Sequence, residues 1–171
     1  MPKTTAKPRK SIYQVCRETL GLSREKASEL LGTMQPERIE RIESGKYTAY
    51  PEEVLTMAEK YHEPQLCNFY CANECAIGKR YVPEVRAQEL PQIVLEMLAS
   101  LNSVKGQQER LIEITADGMI SENEVQDFIN IQNELERISI TVESLQLWAE
   151  KKNATGEIEL DAYAKAGKQE P

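Results

Sequence analysis

Three cysteines, Cys67, Cys71 and Cys75, follow one another at C-x3-C-x3-C spacing, with Cys16 far upstream and the single histidine, His62, close by. Thiolates and an imidazole are ligand types of tetrahedral zinc sites, so these three with Cys16 or His62 form one candidate set. The spacing argues against it, because zinc loops usually leave two or four residues between paired cysteines. On a helix, residues four apart are offset by only about 40° around the axis. The three thiols would then share a face, which suits a thiol or redox sensor. A reducing compartment would keep them from forming disulfides. The third reading, favoured by the spacing, makes Cys16 and Cys67 small core residues and leaves Cys71 and Cys75 at a helix end.

Other chemical signals are weaker. Asp117-Gly118-Met119-Ile120-Ser121-Glu122-Asn123-Glu124 resembles the end of a calcium loop, but the earlier ligands would be Glu113 and Thr115, a poor match to the acids required. Asn153-Ala154-Thr155 is a formal glycosylation sequon without a secretion route. No phosphate loop or nucleophile elbow is present, and nothing marks a catalytic carboxylate pair. The expectation is a non-enzyme without a cofactor.

The charge pattern points to a polyanion at one end only. Net charge is −7, yet residues 1–60 hold eleven Lys/Arg against nine Asp/Glu. Residues 1–17 carry Lys3, Lys7, Arg9, Lys10 and Arg17 with no acid. Such an arm can sit on phosphates or serve as a disordered solubilising tail. The remaining chain is acidic. Residues are 40% apolar and 29% charged, with 6% aromatic, a balance typical of helical proteins. No apolar run is long enough to span a bilayer, and the basic N-terminus lacks a signal-peptide core. A cytoplasmic protein without membrane contact is expected.

Caps and periodicity divide the chain into short helices followed by long ones. Ser11 caps a first helix to Leu20, with Ile12, Val15, Cys16 and Leu20 on its inner face. Ser23 caps a second, with Ala27, Leu30 and Leu31 inward, and Gly32 stops it. Thr33-Met34-Gln35 is a turn, and Pro36 suits the first position of a third helix. Ile39 and Ile42 share a face of that helix, which Gly45 ends. A fourth helix spans Glu52 to Tyr61 with Val54, Leu55 and Ala58 as its stripe. Pro64 can open a fifth, and Gly78 to Pro83 reads as a linker. Beyond it, Leu90, Val94, Met97, Leu101, Val104 and Leu111 keep heptad spacing, interrupted at Gln108. Phe128, Ile131, Leu135, Ile138, Val142, Leu145 and Ala149 keep it without a break. Asp117-Gly118 is the turn between them, and Ser121 with Glu124 fits a capping box. Ile93, Leu98, Ile112, Ile129, Ile140, Leu147 and Trp148 lie off the seam and need a further surface. The tail is read as weakly structured, with a short helix near Leu160 to Lys165.

The segment Ser23 to Gly45 has the layout of a helix-turn-helix, whose second helix can enter a DNA major groove. Ser23-Arg24-Glu25-Lys26-Ala27-Ser28-Glu29-Leu30-Leu31-Gly32 and Ile39-Glu40-Arg41-Ile42-Glu43-Ser44-Gly45, followed by Pro51 and Val54-Leu55-Thr56-Met57-Ala58, resemble the Cro/repressor-type (XRE-like) helix-turn-helix regulators. The resemblance covers about residues 11–66. The turn before Ile39 is one residue longer than usual, and Arg24 stands where the family often has Gln. The resemblance implies that Glu43 is structural and pairs with an arginine of the first helix, with Arg17 in place to do so.

Position then assigns roles. Gln35, Glu37, Arg38 and Arg41 are candidate base or phosphate contacts, Arg24 a phosphate contact, and Lys46, Tyr47 and Thr48 backbone contacts. The alternative pairs Arg38 and Arg41 with Glu37, Glu40 or Glu43 along the helix. The expected protein is all-α: a basic arm (1–10), a five-helix repressor-like helix-turn-helix domain (11–78), a linker (79–89), a long antiparallel helical hairpin (90–152) and a weakly structured tail (153–171). Its expected partners are double-stranded DNA and a second copy, as a homodimeric transcriptional regulator. The alternatives are a protein-interaction module on the same fold and a thiol-based sensor regulator.

Overall fold

The computed structural model describes residues 10–158, so the expectations for the arm up to Arg9 and for a helix near Leu160 lie outside the described residues. Among the described residues the protein is all-α, with nine helices and no strand. No helix there is long and apolar enough to cross a membrane. The chain divides into two compact units between Val82 and Pro83.

The first unit holds α1 (Ile12–Thr19), α2 (Arg24–Leu31), α3 (Pro36–Glu43), α4 (Pro51–Tyr61), α5 (Gln65–Asn73) and α6 (Gly78–Tyr81). Ser11 and Ser23 cap α1 and α2, each hydroxyl accepting a backbone N–H of the first turn, which satisfies a donor with no helical partner. Gly32 ends α2 at φ +69°, a left-handed conformation that a Cβ would strain. Tyr13, Cys16, Ala27, Leu31, Ile39, Ile42, Val54, Met57, Tyr61 and Leu66 close the core.

Three inward faces differ from the sequence reading. Val15 and Leu20 are exposed on α1, whose buried side is Tyr13, Cys16 and Arg17. Leu30 of α2 and Leu55 of α4 are also exposed. On α1 and α4 amphiphilic side chains take the inner positions: tyrosines bury through their rings, and Arg17 through a guanidinium that finds partners. The segment read as a linker contains α6 instead. It abuts α5 so closely that a Cβ on Gly78 would lie 2.0 Å from the Cys71 carbonyl oxygen.

The second unit holds α7 (Leu90–Gly106), α8 (Gln108–Thr115) and α9 (Val125–Ala154). A single non-helical residue, Gln107 after Gly106, separates α7 from α8 where one longer helix was expected. Arg110 of α8 pairs with Asp127 near the start of α9, 2.8 Å apart. Gln92 near the start of α7 borders the same cleft as Trp148 and Lys152 near the end of α9. The α7–α8 segment and α9 therefore run in opposite directions.

The seam between them is rotated from the expected one. Ile93, Ile114 and Ile131 are its fully buried apolar residues, joined by buried Ser100, Thr141 and Ser144. Val94, Leu101, Leu135 and Val142, expected inside, are exposed. The small hydroxyls are cheap to bury because each of two bonds its own helix: Thr141 donates to the Ile138 carbonyl and Ser144 to that of Ile140. The expected capping box is half formed. Glu124 accepts the Ser121 N–H at 3.0 Å, but α9 begins only at Val125 and the Ser121 hydroxyl donates to the same carboxylate instead of accepting a backbone N–H.

Candidate nucleic-acid interface

The inner side of α3 is held by a charged lock as well as by Ile39 and Ile42. Arg17 Nε and Nη2 donate to the two carboxylate oxygens of Glu43, the latter at 3.0 Å. Arg24 Nε reaches Glu43 Oε2 at 2.9 Å, and Arg17 also donates to the Leu22 carbonyl. The Arg17 and Glu43 side chains are 7% and 2% exposed, so this pair is desolvated. Its bond to Glu43 strengthens the hold of Arg17 on its proton, against the opposing pull of burial. The pairing that the resemblance implied is thus present, with Arg24 as a third member. The turn before α3 is fixed by buried Met34, whose carbonyl accepts from Ser28 Oγ at 2.7 Å.

Arg38 is likewise committed. Its Nε and Nη2 grip the Glu53 carboxylate of α4 at 2.8 and 2.7 Å, and Nη2 also donates to the Thr48 carbonyl at 3.2 Å. The guanidinium stands 5.0 Å from the centre of the Tyr50 ring, within cation–π range. Glu53 also accepts the Tyr50 N–H at 2.8 Å. Arg38 and then that backbone N–H hold the Glu53 carboxyl below its ordinary range, against the opposing effect of burial. Neither Arg38 nor Arg41 pairs along the helix with Glu37, Glu40 or Glu43; Arg38 is a latch between α3 and α4. Sequence reasoning missed Tyr50 and Glu53 as its partners. The available signal was Tyr50-Pro51-Glu52-Glu53, a helix start whose third residue is an acid.

What remains free lies on the outer side. Gln35, Glu37 and Arg41 are exposed, as are Lys46, Tyr47 and Thr48. Arg41 makes no ion pair among the described residues and stands 5.6 Å from the Tyr47 ring centre. Lys46 reaches Glu40 at 3.2 Å. Glutamine, glutamate and arginine are the side chains whose donors and acceptors match base edges, and here they share the outer edge and start of one helix. Comparison with protein-family models, curated proteins and solved structures returns no match. The geometry of these residues therefore carries the reading.

None of the four cysteines is in a disulfide. Cys16 is in the core and Cys67 packs partly against it. Cys75 lies beyond the end of α5, so the three do not share the one helical face that a thiol sensor would use; its sulfur accepts the Gly78 N–H at 3.5 Å. Among the described residues no three His, Cys, Asp or Glu side chains cluster as a metal site.

A half-buried acid, Glu74, lies next to Cys75. One Glu74 carboxylate oxygen and the hydroxyls of Tyr13 and Tyr61 are enclosed without a hydrogen-bond partner at ordinary geometry. Burial pushes the Glu74 carboxyl up. Burial first, then the Glu74 charge, raises Tyr13; burial raises Tyr61 to about 12.

Proposed function

We propose that the first unit is a helix-turn-helix reader of double-stranded DNA, with α3 entering the major groove, and that the chain is a non-enzymatic, sequence-specific transcriptional regulator. In this reading residues 90–152 form an antiparallel hairpin that mediates dimerisation, setting two reading heads about one helical turn of DNA apart. The observation that carries it is the division of labour on α3. Ile39, Ile42 and Glu43 are buried, while Gln35, Glu37 and Arg41 are exposed at its start and outer face. Arg41 suits a guanine edge, Gln35 an adenine and Glu37 a cytosine amino group. Lys46 and the Thr48 hydroxyl contact the phosphate backbone. Arg24 contributes a phosphate contact only through the part of its guanidinium not directed at Glu43, and Arg38 acts by positioning α3.

Selection of bound sequences from a random duplex pool at two salt concentrations tests the proposal. A palindromic site is expected. Arg41→Ala should cost about 1–3 kcal/mol and relax the preference at one base pair, whereas Lys46→Ala should weaken all sequences evenly. Recovery of no preferred sequence, with affinity indifferent to salt, would sink it.

A second reading, docking of a partner protein on α3, draws on the same geometry. Arg24 and Arg38 are tied to carboxylates and Lys46 to Glu40, so few cations face outward. Counterion release separates the two, because only phosphate contacts give a steep fall of affinity with salt.

A further inference from the structure

We infer that the side of the second unit carrying Val94, Leu101, Phe128, Leu135 and Val142 is the face on which a second copy of this chain docks, with α7 of each copy lying over α9 of the other. The inference rests on the dimeric half of the reading above and not on its nucleic-acid half.

The register makes these residues one surface. On α7–α8 the seam runs Ile93, Met97, Ser100, Val104, Gln107, Leu111 and Ile114 at alternating spacings of four and three; on α9 Ile131, Glu134, Ile138, Thr141, Leu145 and Trp148 repeat the pattern. All of them are buried or half-buried. Val94 and Leu101 each follow a seam residue by one position, as do Leu135 and Val142. A right-handed helix seen from its start turns clockwise, and its antiparallel neighbour, seen from the same end, turns the other way. The positions just after Ile93, Ser100, Glu134 and Thr141 therefore fall on the same side of the pair. Val94, Leu101, Leu135 and Val142 are 40–46% exposed there. The opposite side carries Glu96, Arg110, Asn130 and Arg137 instead.

Three features single out a second copy. The face is uncharged along its length: Gln108 and Thr115 continue the α7 row, and Ala149 continues the α9 row. Its apolar residues recur at seven-residue spacing on both helices, which is the repeat a twin surface needs to interdigitate. Its size is also right. Residues 94–115 extend about 32 Å at 1.5 Å per residue, and two helices about 10 Å apart present a face about 20 Å wide. A pair of copies would bury about 1,300 Å² in total, within the range of stable interfaces.

The rim charges choose the orientation. Glu136, Glu143 and Glu150 line the outer edge of α9, while Lys105 lies at the outer edge of α7 between Leu98 and Ile112. A twofold axis along the helices sets unlike edges together. The Arg110–Asp127 pair fixes the stagger within one copy, and at that stagger Lys105 of one copy stands level with Gln132 of the other, about one helical turn from Glu136. The acidic edge would repel a nucleic acid or an anionic membrane. Residues 159–171 bring only Leu160 and Tyr163 as large apolar side chains, too few to cover the face.

Light scattering of the full chain across a micromolar concentration series is the test. The wild type should have the mass of a dimer. Leu101→Glu and Leu135→Glu should each give a monomer with unchanged helicity by circular dichroism, while Asn130→Glu on the opposite side should leave the dimer intact. Lys105→Glu should weaken the dimer about two- to five-fold, the range of an exposed ion pair, and Glu136→Lys in the same chain should restore it. A monomeric wild type, or a dimer indifferent to both leucine substitutions, overturns the proposal. A monomer that still selects a DNA sequence would overturn the docking face while leaving the reader intact.

Discussion

The two units bury polar groups in opposite ways. In the first, charges are buried or half-buried between elements: Arg17 of α1 is tied to Glu43 of α3, and Arg38 of α3 to Glu53 of α4. In the second, Thr141 and Ser144 are buried but bond carbonyls of their own helix. A polar group shared between elements makes one geometry compulsory, because any other leaves a charge unpaired in a dry place. A hydroxyl bonded to its own helix demands nothing of its neighbour. The first unit is thus a fixed shape around a closed core, whereas the second is a helix pair with hydroxyls buried in its seam and apolar side chains left outside.

Substitutions at these buried groups should separate the two units, the lock on α3 most of all. Glu43→Ala strips Arg17 of its counter-charge while keeping it buried, and should cost about 3–5 kcal/mol in chemical denaturation. A loss no larger than that of a surface substitution would show that the pair does not lock α3. Leu66→Ala, at a fully buried position, should cost about 2–5 kcal/mol and lower the same unfolding transition.

Glu53→Gln is next, at about 1–3 kcal/mol for a charge-assisted bond, and its signature is pH. The folded Glu53 carboxyl titrates below its unfolded value of about 4.3. Its contribution is present above that value and fades as pH falls through the folded one. The gap between wild type and variant should therefore close in acid. Glu74 has the opposite sign. Its folded carboxyl is raised, so its contribution is full below about 4.3 and is lost as pH rises through the folded value. Glu74→Gln should thus stabilise the protein at neutral pH and show no gain in acid; destabilisation at neutral pH would mean that the carboxylate has a partner worth keeping. The smallest effect belongs to the second unit. Thr141→Val removes a hydroxyl without orphaning any group and should change stability by less than about 1 kcal/mol.

Much of the first unit was legible from sequence because its helix ends use chemistry specific to ends. Ser11, Ser23, Gly32 and Pro36 bracket α1, α2 and α3 within a residue or two. The faces were harder to read. A hydrophobicity stripe puts Val15 and Leu20 inside α1, but Arg17 is worth burying only when Glu43, twenty-six positions away, is known to meet it. The same holds for the candidate interface. Gln35, Glu37 and Arg41 could be assigned to the outside of α3, whereas the diversion of Arg38 depends on Glu53. In the second unit the heptad period was visible but its phase was not. Counting apolar residues selects Val94, Leu101, Leu135 and Val142, while the helices meet over Ser100, Gln107, Glu134 and Thr141. Ser100 and Thr141 are small enough to admit close approach, and a hydrophobicity count cannot register that. The break at Gln107 followed from Gly106, the weakest helix former in that stretch apart from proline.

Trp148, half-buried beside Gln92 and Lys152, is the only tryptophan, while the tyrosines lie almost wholly in the first unit: all but Tyr163 precede Val82. The chain therefore carries a built-in optical label for each half. Tryptophan emission follows the second unit alone, and tyrosine signals follow the first, so changes in each unit can be watched separately in one unmodified molecule.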